Sequence, residues 1–96
     1  MAGSPDTGNA TAGPAATPIA NVLANDTVDG VPATTSNSTL TVVTPASDAG
    51  VVLDTATGAA TTTAAVPSGT YTITYQLCNK ATPAVCATST ATVTVT

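Results

Sequence analysis

A chain of 96 residues makes one domain, near the lower end of the range in which a core can be buried without help, and the absence of Phe and Trp keeps that core thin. Five aspartates against Lys80 alone give a net charge of -4, which argues against nucleic acid as a partner, because phosphate binding relies on basic side chains to displace counterions. With neither His nor Glu, a general base would have to be Asp, a thiolate or Lys80, and no nucleophile has a visible orienting partner, so no enzymatic activity is expected.

Residues 1 to 16 are rich in Gly, Ala, Pro, Ser and Thr without periodicity and read as a linker or flexible N-terminal segment. Met1-Ala-Gly-Ser-Pro5 carries neither a basic nor an apolar signal region, so it is not a signal peptide and Met1 reads as the start of a fragment. The folded domain is expected over residues 17–96. Its first strand lies within Thr17-Pro-Ile-Ala-Asn-Val-Leu-Ala24, where Pro18 favours a strand start or an exposed edge. Asn25-Asp-Thr-Val-Asp-Gly30 reads as a turn, since Asn and Asp bond their own backbone and Gly30 admits positive φ.

Further strands are expected at Thr39–Thr44, at Val51–Leu53 and at Ala59–Thr63, with Asp54-Thr-Ala-Thr-Gly58 turning between the last two and Pro67-Ser-Gly69 forming a corner. The most informative stretch comes last. Alternation places Tyr71, Ile73, Tyr75 and Leu77 on one face of a run, and Ala87, Ser89, Ala91, Val93 and Val95 on one face of a second. Both Cys78 and Cys86 then fall on the opposite, threonine-rich face. Setting Cys78 against Cys86 in antiparallel register pairs Gln76 with Thr88, Thr74 with Thr90, Thr72 with Thr92, Ile73 with Ala91 and Tyr71 with Val93. One register thus satisfies the disulfide and both faces, and a slip of one residue would invert every side chain.

The expected core comprises Ile19, Val22, Leu23, Leu40, Val42, Val51, Leu53, Val66, Tyr71, Ile73, Tyr75, Leu77, Val93 and Val95, padded by alanine. Thr and Ala supply 42 of the 96 residues, and threonine's branched side chain suits a pleated surface better than a disordered tail. Six or seven short strands separated by turn signals, with no helical period, indicate an all-β domain folded as a β-sandwich. No run of 18 apolar residues is present, so no membrane insertion is expected.

The order of three motifs makes the fold expectation more specific. Asn21-Val-Leu-Ala-Asn-Asp-Thr27, then Leu53-Asp-Thr-Ala-Thr-Gly58, then Pro67-Ser-Gly-Thr-Tyr-Thr-Ile-Thr-Tyr75 followed by a cysteine pair and Ala91-Thr-Val-Thr-Val95, resemble one immunoglobulin-like tandem repeat of large bacterial cell-surface proteins and adhesins. The likeness covers about residues 17 to 96. It implies a seven-stranded immunoglobulin-like sandwich that serves as an extracellular stalk or spacer unit, flanked by neighbouring repeats and monomeric in isolation. The alternative is an adhesion module that binds a glycan or host surface through loops 25–38 and 79–84. Those loops lack Trp, Phe and Arg, the usual anchors of recognition.

Candidate site residues are few. Cys78 and Cys86 fit a structural disulfide, because a metal site would want further soft or imidazole ligands and a redox pair a closer spacing. Such a bridge also implies an oxidising compartment. Tyr71, just after the Pro-Ser-Gly corner, is placed to bond back to the backbone as tyrosine corners do in immunoglobulin-like sandwiches. Asp26 and Asp29 are weak calcium candidates, with Asp48 and Asp54 more distant in sequence, and their plainer reading is as turn formers. Lys80 invites an isopeptide link to Asn or Asp but reads as a solvated residue of the hairpin loop. The sequons at Asn9, Asn25 and Asn37 are frequent by chance in a threonine-rich chain. The threonine stripe could suggest ice binding, but the short repeat that builds a flat array is missing, and a solvated sheet face explains it.

Overall fold

The computed structural model describes residues 3–28, 30–64 and 66–96. These form nine strands in chain order: β1 (Asp6–Ala10), β2 (Ala16–Ile19), β3 (Thr27–Val28), β4 (Val31–Pro32), β5 (Ser38–Thr44), β6 (Val51–Leu53), β7 (Ala60–Thr62), β8 (Gly69–Asn79) and β9 (Cys86–Val95). A four-stranded sheet runs β1-β9-β8-β5, a three-stranded sheet runs β2-β7-β6, and β3 and β4 make a small hairpin. One apolar cluster joins residues of both larger sheets, an all-β arrangement compatible with a β-sandwich.

The β8–β9 hairpin takes the register read from the sequence, with Cys78 opposite Cys86, Ile73 opposite Ala91 and Tyr71 opposite Val93. Its inner face buries Tyr71, Ile73, Tyr75 and Leu77 against Ala91, Val93 and Val95. On one flank β5 pairs antiparallel with β8, and on the other β1 pairs with β9 in parallel, Asp6 beside Ala91 and Ala10 beside Val95.

That parallel strand corrects the reading of residues 1–16 as a linker. The segment Asp6–Ala10 has no apolar alternation, and only Ala10 is buried, so periodicity does not reveal it. Main-chain bonding to the free edge of β9 and a close approach to β2 hold it in place. The approach centres on Gly8, where a Cβ would collide with the backbone of Pro18 and the side chain of Ile19.

The first strand of the sequence reading is also shorter than its range. β2 stops at Ile19, and the Leu23 amide donates to Asn21 Oδ1 at 2.9 Å, a local bond that favours a turn over a continued strand. Val22 and Leu23 remain fully buried, carried inward by that turn. The expected turn at 25–30 is partly a hairpin, Thr27 pairing with Pro32 and Val28 with Val31, with Gly30 at φ 80°. Asp29 lies outside the described residues. Of the expected core, Val42 alone is exposed, at 38%. It lies near the end of edge strand β5, at the register shift between Val42 and Thr44, and faces an open groove of about 160 Å³ with Ala46, Val51, Leu53 and Ile73.

Gly8→Val is therefore expected to push β1 away from β2 and cost about 1–3 kcal/mol in chemical denaturation, as overpacking does. Thr7→Val, on the exposed side of the same strand, is expected to stay within about 0.5 kcal/mol.

Candidate functional site

Three constellations carry the polar chemistry of the domain. The first is the corner before β8. The Tyr71 hydroxyl donates to the Pro67 carbonyl at 2.6 Å, so the phenol ties the start of the strand to the connection that delivers it from β7. Tyr71 is buried, which makes this bond a constraint on the fold rather than a group presented to a ligand.

The second is the pole where the β8–β9 hairpin turns. Cys78 and Cys86 form the disulfide, and among the described residues no cysteine is free. The Lys80 ammonium donates to the Thr35 carbonyl at 2.7 Å, and the Lys80 amide to the Asn37 carbonyl at 3.1 Å. These bonds join Lys80 of loop 79–84 to Thr35 and Asn37 of loop 25–38, so the two loops named as a possible recognition surface are in contact. Lys80 meets a main-chain carbonyl there, not the Asn or Asp side chain that an isopeptide link would need. The Asn37 amide is engaged as well, accepting from Thr34 N at 2.8 Å and donating to Pro32 O at 3.0 Å.

The third was not legible in the sequence. The Tyr75 hydroxyl, fully buried, stands 2.8 Å from Asp6 Oδ2, 3.1 Å from Asp26 Oδ2, 3.3 Å from the Val22 carbonyl and 3.4 Å from the Ser4 carbonyl. A phenol has one proton, so it serves one of these four acceptors at a time. Asp26 is only 1% exposed, and its other oxygen accepts the Ser4 amide at 2.7 Å. Ser89, the cross-strand partner of Tyr75, is buried with its hydroxyl making no hydrogen bond of good geometry.

The electrostatics follow from that crowding. Burial pushes the Asp6 carboxyl above its usual range and the charge of Asp26 adds to the rise, while the bonds from Tyr75 and Asn25 oppose it. Burial likewise raises Asp26, against the Ser4 amide and Tyr75. Tyr75 is raised too, by burial first and then by its bond to Asp6 and the two nearby carboxylates, with only the neighbouring Ser89 hydroxyl working the other way. The phenol accordingly stays protonated.

Asp26 thus meets Asp6 from the N-terminal segment. Asp48 and Asp54 act in turns, accepting the amides of Gly50 and Ala56 at 2.8 and 2.9 Å. Among the described residues no three Asp or Cys gather as a metal-binding group, and there is no helix long and apolar enough to cross a membrane. The sequence reading places Tyr75 in the core and goes no further; the one signal it leaves unused is that a tyrosine in the middle of a core face needs an acceptor for its hydroxyl. Nothing in the spacing of Asp6, Asp26 and Tyr75 shows that they meet. Comparison with protein-family models, curated proteins and solved structures finds no match to the chain.

Tyr71→Phe is expected to lower stability by about 1 kcal/mol, the net worth of a buried hydrogen bond whose acceptor is left behind, without changing the β8–β9 pairing. Denaturant titration with cross-strand amide spectra checks both parts.

Proposed function

We propose that the chain is an immunoglobulin-like spacer repeat of an extracellular bacterial surface protein, a non-catalytic unit whose contribution is length and resistance to load. The observation that carries the reading is the parallel pairing of the first strand with the last. It brings the chain in beside Ala91 and sends it out beyond Val95 in the same direction, so copies joined end to end extend along a line. Tension applied through the two ends would slide β1 against β9 and load their evenly spaced bonds together rather than one after another.

The strand order supports the immunoglobulin-like part of the reading. With the β3–β4 hairpin set aside, seven strands remain, and lettering them A to G in chain order gives sheets A-G-F-C and B-E-D. That is the partition of a constant-type immunoglobulin sandwich with strand A moved to the G edge. The Tyr71 bond at the E–F corner supports it further. An intrachain disulfide favours a non-cytoplasmic compartment, and here it clips the F–G hairpin against fraying.

A second reading, an adhesion module for a glycan or host surface, draws on the joining of loops 25–38 and 79–84 through Lys80. A cleft of about 280 Å³ opens there beside Val31, Asn37 and Lys80. It has no aromatic side chain to stack on a sugar, which ranks this reading second.

Small-angle scattering on one, two and three copies joined head to tail separates the two. For a spacer, the maximum dimension grows with each copy by most of the 41 Å long axis of the domain. A compact trimer no longer than two copies would contradict the spacer reading, and a reproducible glycan-array signal lost with Lys80→Ala would favour adhesion.

A further inference from the structure

The Asp6, Tyr75 and Asp26 cluster has more acceptors than protons to fill them. If both carboxyls are ionised, the phenol satisfies one of them, and the other turns an oxygen lone pair toward the phenol oxygen at about 3 Å. One added proton resolves this. Placed on Asp26 Oδ2, it donates to the Tyr75 oxygen at 3.1 Å, and Tyr75 donates onward to Asp6 Oδ2 at 2.8 Å. The neutral acid is then the more deeply buried of the two, Asp26 at 1% exposure, and the charge stays on Asp6, which is only partly buried.

We propose that Asp6, Tyr75 and Asp26 form a proton-operated latch for strand β1, closed while the cluster holds one proton beyond the phenol's own and loosened when that proton leaves. Each contact crosses an element boundary that matters for docking. Asp6 is the first residue of β1, Ser4 precedes it and bonds Asp26, Asp26 lies between β2 and β3, and Tyr75 is fixed at the centre of β8. Loss of the proton places two carboxylates on one phenol, and their repulsion pushes Asp6, and with it the start of β1, away from Asp26.

Among the described residues few other groups intervene. From β9 the cluster is faced by Ser89, which does not titrate, and from the turn by the Asn25 side-chain amide, which bonds Asp6 and also donates to the Pro5 carbonyl at 3.4 Å. Lys80 is bonded to Thr35, and Asp48 and Asp54 are engaged in their own turns. The sign follows from the raised carboxyls: a group harder to ionise in the folded chain favours folding at low pH, and that contribution is lost as pH rises from the ordinary value of 3.8 through the raised one. The latch is independent of the spacer reading, and only its bearing on a loaded stalk rests on that reading.

The test follows the melting temperature of the wild type, Asp6→Asn and Asp26→Asn across pH 3.5–8 with a chelator present, alongside carboxyl carbon NMR titration of the wild type. The wild type is expected to lose several degrees as pH rises through the window. Asp6→Asn, which removes the repulsion but keeps an acceptor for Tyr75, is expected to flatten that slope and melt higher than the wild type at pH 7. The NMR titration, which does not depend on any variant folding, is expected to place at least one of the two carboxyls above the ordinary value. Two carboxyls titrating at or below 3.8, or an Asp6→Asn variant equally weakened at pH 4 and pH 7, would overturn the latch. So would a melting temperature at pH 7 that rises with calcium and falls again with chelator, since a metal ion and not a proton would then complete the cluster.

Discussion

The register of the β8–β9 hairpin is the constraint on which the rest of the domain depends. A slip by one residue would turn Tyr71, Ile73, Tyr75 and Leu77 out to water and bring threonines into the core. Three independent features hold it in place: the disulfide at one end, the alternation along both strands, and the Tyr71 corner at the start. Every other main element takes its position from this pair. β5 adds to the free edge of β8, β1 to the free edge of β9, and the three-stranded sheet closes over the apolar face between them.

A core without Phe or Trp makes the two tyrosines unusually important. Each buries a ring and brings in a hydroxyl that must be satisfied. Tyr71 meets that demand locally, with a carbonyl four residues earlier in the chain. Tyr75 meets it at long range, and its partners come from the N-terminal segment and from the turn after β2. The second solution couples the middle of the sheet to the point where the chain enters the fold. The same tyrosine that fills the core therefore also helps to hold the first strand.

How much of this could be read in the sequence depended on whether the deciding interaction was local. The hairpin was legible because its signal, a period of two with both cysteines in phase, lies within the elements it describes. The turn at Asp54–Gly58 was legible for the same reason, with the Ala56 amide on Asp54 Oδ1 and Gly58 at φ 82°. β1 was not, because Asp6-Thr-Gly-Asn-Ala10 is held by the backbone edge of a strand 85 residues away and by the absence of a side chain at Gly8. Val42 was misplaced because alternation gives the face of a strand but not how far the opposite sheet reaches across it. The Asp6–Asp26 pairing was missed since an acidic residue in a turn looks the same whether its carboxyl faces water or a buried phenol.

The central claim is that the first and last strands form a parallel clamp across which load would pass. Single-molecule extension of the domain, held by its two ends, tests it most directly. The account predicts one cooperative rupture at a force well above that needed when the domain is pulled across the β8–β9 hairpin, where bonds open singly, with residues 78–86 withheld from the released length by the disulfide. Early release of β1 at low force, before the rest of the domain yields, would contradict it.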